Sequence, residues 1–290
     1  MKHWKPAAIA ALWSGALYAA PMPVVASFSI LGDVAQQIGG ERVGVQNLVG
    51  ANQDAHAYNL TSGDIKKIRE ARLVLLNGLG LEKAELQRAV KQSKVASAEA
   101  TAGIKPLAAD EHHHEHNHGH DHDHGEFDPH VWNDPVLMQR YAANVAIALI
   151  KADPAGSRYY QQRFKDYQNV LNQLNNYANQ QFGAVAPAKR KVLTGHDSFA
   201  YLGKRYQVKF ISPQGVSSEA EPSARQIAAI IRQIKAENVK AVFTENIKDG
   251  RMIARIAKET GVKVSGGLYA DALSSGAPAG TYADMFRYNV

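Results

Sequence analysis

The chain has 290 residues, 45% of them apolar, which suits one large domain or two ordinary ones and excludes wholesale disorder. Its formal charge is +6, but no basic run with interleaved aromatics occurs, so the lysines read as a solvated surface and nucleic-acid binding is not expected. There is no cysteine, so no disulfide supports the fold.

The opening stretch "MKHWKPAAIAALWSGALYAAPMP" has two lysines, an apolar run from Pro6 to Ala20 and then small residues, the layout of a secretory signal peptide. The run is about five residues short of a membrane span. Cleavage after Ala19 is preferred over Ala26, because the later cut would destroy the strand-like "VVASFSI". Loss of residues 1–19 removes Lys2 and Lys5 and leaves a charge of about +4. With no cysteine to carry a lipid, the expectation is an exported, unanchored protein of a Gram-negative periplasm.

Strand-like and helix-like segments then alternate. "VVASFSI" leads into "LGDVAQQIGG", where Leu31, Val34, Ala35 and Ile38 share a helical face and Gly39–Gly40 end it. "VGVQNLV" is a strand, "TSGDIKKIREA" a helix, "RLVLLNG" an apolar strand, "LEKAELQRAVKQ" a helix and "KVASA" a short strand. After a histidine tract, "DPVLMQRYAANVAIALIKA" predicts a helix. A longer helix of about thirty residues follows, with Tyr160, Phe164, Tyr167, Val170, Leu171, Leu174 and Tyr177 at three- and four-residue spacing. The alternation then restarts: "KVLTG" strand, "SFAYLGKRY" helix, "VKFISPQGV" strand. Next comes a helix opened by a Ser223–Gln226 capping box, then "VKAVFTEN" strand, "GRMIARIAKETG" helix and "VKVSGGLY" strand. The fold class is therefore α/β: two lobes with parallel-type sheets joined by one long rigid helix. The lobes are expected at 20–153, with a His-rich loop at 110–126, and at 187–290, with the linking helix at 154–186.

Nine of the 12 histidines fall in "DEHHHEHNHGHDHDHGEFDPH", residues 110–130. His112, His113, His114, His116, His118, His120, His122 and His124 lie in a stretch with no apolar face to bury, which predicts a loop. Such a loop cannot preorganise ligands and should be a secondary, low-affinity metal site, a docking point for a protein that hands metal over, or an insertion with little function. Three other histidines follow or lie near strand ends: His56 in "NQDAHAY", His130 in "EFDPHVWNDP" and His196 in "VLTGHDSFAY". Ligands of α/β sheets bind beyond the carboxyl ends of strands. Asp271 in "GLYADAL" follows the last predicted strand. Three imidazoles and one carboxylate match the donors of tetrahedral Zn²⁺, although spacing alone leaves open three histidines each satisfied locally.

"DAHAYNLTSGDIKKIREARLVLLNGLGLE", "DPHVWNDP", "TGHDSFAYL", "SSEAEPSARQIAAIIRQIKAENVKAVFTE" and "LYADALS", in that order, resemble the periplasmic zinc-binding proteins of ABC transporters, the metal-specific group with ZnuA-like and AztC-like members. The resemblance covers nearly all of the mature chain. It implies two lobes on a rigid spanning helix and one metal between them, held by His56, His130, His196 and Asp271. It also implies high-affinity capture of Zn²⁺, delivery to an ABC permease with its ATPase acting indirectly, and a monomer. Manganese-binding relatives typically carry glutamate at the position of His196, so histidine there favours Zn²⁺ over the alternatives, Mn²⁺ or Fe²⁺. Asp271 together with the lack of cysteine leans toward the AztC-like branch. Asp54, Asp128, Asn133, Asp197 and Glu245 are candidates to orient the imidazoles from behind. A zinc hydrolase is disfavoured, because four protein ligands leave no open position and neither H-E-x-x-H nor G-x-S-x-G occurs. An adhesin lacks an anchor here.

Deleting Glu111–Glu126 should abolish additional weak zinc equivalents and leave one tight site in a calorimetric titration. Loss of the tight site would place it in the tract.

Overall fold

The computed structural model describes residues 20–109 and 127–290; the expected signal peptide and the eight tract histidines lie outside them. The first strand, β1 (Met22–Phe28), is apolar and buried along most of its length, as a central strand covered on both faces must be. It passes into α1 (Ser29–Gly39), whose Leu31, Val34, Ala35 and Ile38 are all buried, the face expected from their spacing. β2 (Val43–Val49) follows, then α2 (Ser62–Glu70), opened by a Thr61–Asp64 capping box. β3 (Leu73–Leu76), α3 (Ala84–Ser93) and β4 (Ala96–Glu99) complete a parallel sheet of order β2-β1-β3-β4.

Two helices then lead to the second lobe: α4 (Leu137–Ala152) and α5 (Ser157–Gly183). With 27 residues, α5 is about 40 Å long. Its buried side chains Tyr160, Tyr167, Leu171, Leu174 and Ala178 form one stripe. The second sheet is built from β5 (Lys191–Leu193), α6 (Ala200–Tyr206), β6 (Lys209–Ile211), α7 (Ala224–Glu237), β7 (Ala241–Glu245), α8 (Arg251–Thr260) and β8 (Gly266–Leu268). It is parallel with order β6-β5-β7-β8. The Ser223–Gln226 capping box opens α7 as expected. The chain closes with α9 (Tyr282–Asn289).

In both sheets the strand order reverses beside the first strand, between β1 and β3 and between β5 and β7. Loops on either side of such a point diverge and leave a crevice at the carboxyl ends. The crevices meet because the lobes are not independently packed. One continuous apolar core runs from Val24, Phe28 and Trp132 through Leu171 and Leu174 to Phe199, Tyr282 and Phe286. Helix α5 touches α1 and α4 of the first lobe and α6 and α9 of the second. Buried hydrogen bonds cross the same boundary. Trp132 Nε1–H donates to the Ala270 carbonyl at 2.8 Å, and the Tyr282 hydroxyl donates to the Trp132 carbonyl at 2.9 Å.

Three features depart from the sequence expectation. Helix α9 was not foreseen: at eight residues it is too short for a period to show, and it is set by Thr281 capping Asp284 N–H and by burial of Tyr282, Met285 and Phe286. The strand expected at "VKVSGGLY" contracts to β8, since the residues before it are exposed on the surface. The helix expected from Ser198 begins at Ala200, because His196–Phe199 are held in a loop by the crevice. No described helix is long and apolar enough to cross a membrane.

A core shared by both lobes should unfold as one unit. Trp132→Ala is expected to cost about 3–5 kcal/mol and to move a single denaturant transition, followed by far-UV dichroism, without splitting it in two.

Candidate metal centre

His56 sits in the turn after β2, and His196 in the loop after β5 at the crevice of the second lobe. His130 precedes a single 3-10 turn, Val131–Asn133, and Asp271 follows β8. The fold brings these four side chains together, with one nitrogen or oxygen of each lying within 4.8 Å of the others. His56 Nε2 is 3.1 Å from His130 Nε2. The Asp271 oxygens lie 3.0 Å from His196 Nε2 and 3.5 Å from each of the other two Nε2 atoms. A tetrahedral ion with bonds of about 2.0–2.1 Å holds its donors about 3.3 Å apart, which the His56–His130 and Asp271–imidazole distances of 3.0–3.5 Å approach.

The burial of the donors favours a positive charge among them. His130, His196 and Asp271 are fully buried. Among the described residues the Asp271 oxygens meet no fixed donor: the nearest group is His196 Nε2 at 3.0 Å, which donates only when that imidazole is protonated. A buried carboxylate with no donor is costly unless a cation answers it.

The chain matches the family model described as zinc-uptake complex component A, periplasmic (ZnuA), over residues 24–290. The chain belongs to this ZnuA family. Manganese-binding lipoprotein MntA of Bacillus subtilis (strain 168) is 32% identical over 279 residues, covering 93% of this chain and 87% of the relative. The iron ABC transporter substrate-binding lipoprotein MtsA of Streptococcus pyogenes serotype M1 is 27% identical over 270 residues, covering 93% and 86%. Among solved structures, the periplasmic zinc-binding protein TroA of Treponema pallidum is similar with a TM-score of 0.84 at 26% identity, over 93% of this chain and 96% of that one. A manganese-bound mutant of a periplasmic metal-binding protein of Candidatus Liberibacter asiaticus gives 0.79 at 30% identity, over 92% and 96%. As a member of the ZnuA family, the protein is a metal-binding component of an ABC transporter, not an enzyme. The relatives' names include manganese, iron and zinc, so membership settles that the cargo is a metal and leaves the ion to the site's chemistry.

In this ZnuA-family centre, two carboxylates stand behind the imidazoles. Asp128 Oδ1 is 2.7 Å from His130 Nδ1 and accepts the His130 backbone N–H at 2.8 Å. Glu245, the last residue of β7, lies with Oε2 2.6 Å from His196 Nδ1, while Oε1 accepts the N–H groups of Gly195 and His196 at 2.8 and 3.1 Å. A proton on each Nδ1 leaves each Nε2 as a lone-pair donor facing Asp271. Gly195 permits this approach, since a Cβ there would sit 3.1 Å from the Glu245 carboxylate.

The other expected orienting residues have different places. Asp54 acts on the backbone: its Oδ1 accepts the N–H of His56 at 2.9 Å, and its Oδ2 accepts the Ser218 hydroxyl at 2.6 Å, 3.8 Å from Lys248 Nζ. Asn133 donates to the Ser198 carbonyl at 2.8 Å and so ties the lobes. The Asp197 N–H donates to Gly215, and its side chain lines a cleft between α6 and α7. Ser218 and Lys248 hold Asp54 from the second lobe, and the Asn52 N–H donates to the Leu273 carbonyl at 2.8 Å, which fastens the His56 turn to that lobe. Sequence reading missed all three, since bonds across more than 150 residues leave no local pattern.

Electrostatics follow from the burial. Burial pushes the Asp271 carboxyl up, but His196, His130 and His56 outweigh it and hold it below the usual carboxylate range. Burial pushes His196 down, but the Glu245 and Asp271 carboxylates prevail and raise it well above the ordinary histidine value. His56 is pushed down to about 3, by burial first, with Asp271 opposing and the neighbouring imidazoles adding to the fall.

Below its raised value His196 carries a proton that a bound cation must displace. Affinity should therefore fall on acidification, by about tenfold per pH unit while one proton competes, in chelator titrations across pH. His196→Ala should weaken binding by at least about 100-fold in the same titration, more than the loss of an orienting residue alone. An unchanged affinity would remove His196 from the ligand set.

Proposed function

We propose that this protein captures Zn²⁺ outside the cytoplasmic membrane and delivers it to an ABC permease, using His56, His130, His196 and Asp271 as the four ligands. The observation that carries this reading is the buried Asp271 carboxylate with three imidazole nitrogens 3.0–3.5 Å from its oxygens, all four donors lying within 4.8 Å of one another. Three nitrogens and one carboxylate suit a borderline ion better than a hard one, and the Irving–Williams order places Zn²⁺ well above Mn²⁺ and Fe²⁺ at such donors. The N-terminal layout supports export to a periplasm. MntA and MtsA are lipoproteins by name, whereas this sequence has no cysteine, which supports an unanchored form and the AztC-like lean. The histidine tract would serve as a weaker collecting site or meet a zinc metallochaperone, with the protein acting as a monomer.

A second reading, Mn²⁺ or Fe²⁺ as cargo, is favoured by the names of the relatives. Both Asp271 oxygens face the cluster, so bidentate ligation could raise the coordination number toward what Mn²⁺ accepts.

Competition calorimetry on metal-stripped protein separates the two. Zn²⁺ should bind at least about 100-fold more tightly than Mn²⁺, or about 2.7 kcal/mol, with one tight equivalent once the tract is removed. Equal affinity, or a preference for Mn²⁺, would move the assignment to the second reading.

A further inference from the structure

β3 and β7 hold the same place in their sheets, third in β2-β1-β3-β4 and third in β6-β5-β7-β8. In the second lobe the end of β7 supplies Glu245, which grips the His196 turn by backbone and ring. In the first lobe the end of β3 runs into "NGLGLE", beginning with Asn77, which is fully buried.

Every hydrogen-bonding group of Asn77 is engaged. Its Nδ2 donates to the carbonyls of Pro129 at 3.2 Å and Gly78 at 3.0 Å, and its Oδ1 accepts the Tyr141 hydroxyl at 3.0 Å. Its carbonyl accepts the Thr101 hydroxyl at 2.6 Å. Its own N–H, with that of Gly78, donates to the two oxygens of the buried Glu82 carboxylate at 2.6 and 3.0 Å. The turn that folds Glu82 back onto these groups passes through three successive left-handed residues, Gly78 (φ 88°), Leu79 (φ 56°) and Gly80 (φ 82°). A left-handed leucine persists only where its surroundings over-determine it.

Pro129 matters because its carbonyl and the His130 N–H belong to one peptide group. Asn77 holds the carbonyl at 3.2 Å alongside the Val131 N–H at 2.8 Å, and Asp128 holds the N–H at 2.8 Å. With both ends of a planar unit fixed, the Cα of His130 has little freedom. We infer that Asn77, braced by Glu82, is a positioning residue for His130, the first lobe's counterpart of Glu245. It acts through the Pro129–His130 peptide without touching the metal donors. This inference rests on the metal-site reading above.

The experiment uses Asn77→Asp, which keeps the shape and removes both amide donors, together with Asn77→Ala and Tyr141→Phe. Ile234→Ala, in the separate outer core of the second lobe, is the stability control. Zn²⁺ transfer to a chelator should be about tenfold faster in the Asn77 variants and faster to a lesser degree in Tyr141→Phe. The visible spectrum of the Co²⁺-substituted Asn77 variants should shift. The control should lose thermal stability while keeping the wild-type spectrum and release rate. Wild-type release and spectrum in folded Asn77 variants, or the same changes in Ile234→Ala, would overturn the inference. Should the Asn77 variants not fold, Tyr141→Phe decides it, faster release supporting the inference and wild-type release overturning it. A wild-type protein with no tight Co²⁺ site overturns the metal-site reading and this inference together, whereas a wild-type site indifferent to Asn77 overturns the inference alone.

Discussion

The Asp271 carboxylate is the constraint around which the rest is arranged. It is fully buried, meets no fixed hydrogen-bond donor among the described residues and faces three imidazoles whose lone pairs add no positive charge when neutral. Such a group is tolerable only if a proton on an imidazole or a metal ion supplies the missing charge. Protonated His196 is one answer and a divalent cation the other, so proton and cargo compete to balance one charge. The carboxylates of Asp128 and Glu245 bias that competition by fixing which nitrogen of each ring faces inward.

Holding four donors from both lobes at this spacing requires lobes that do not drift. The continuous core and α5 supply the stiffness, and the Trp132–Ala270 and Tyr282–Trp132 bonds would have to break for a hinge to open. Any release of the donors therefore has to come from the turns that carry them. The turns differ in this respect. His130 and His196 each have a carboxylate on the ring, whereas Asp54 sets His56 through its backbone, and His56 alone of the four retains some exposure, at 6%. The His56 turn is instead fastened to the other lobe by Ser218, Lys248 and Asn52, contacts much easier to loosen than a buried core.

Family membership and site chemistry answer different questions. The ZnuA-family match establishes a metal-binding transport component, and relatives named for manganese, iron and zinc show how widely one fold serves different ions. Selection among ions must come from the donor set. Here that set is mostly nitrogen, and the groups that orient it lie on the sheets and turns of both lobes.

Much of this was legible in the sequence, for identifiable reasons. The α/β alternation, the long stripe of α5 and the Ser223 capping box are local patterns, and local patterns survive in a linear text. The donors His56, His130, His196 and Asp271 stood out by residue type and position near strand ends, whereas Asp128 and Glu245 were two of five candidates that the sequence did not rank. Helix α9 was too short to announce itself, and β8 shrank because edge residues expected in the strand face solvent. Only the tertiary structure decided that the four donors converge, that Asn133 ties the lobes and does not hold a ring, and that Asn77 and Ser218 belong to the support of the site. Those facts rest on hydrogen bonds between residues 52 to 164 positions apart, and on a carboxylate stripped of water by packing, neither of which any stretch of sequence displays.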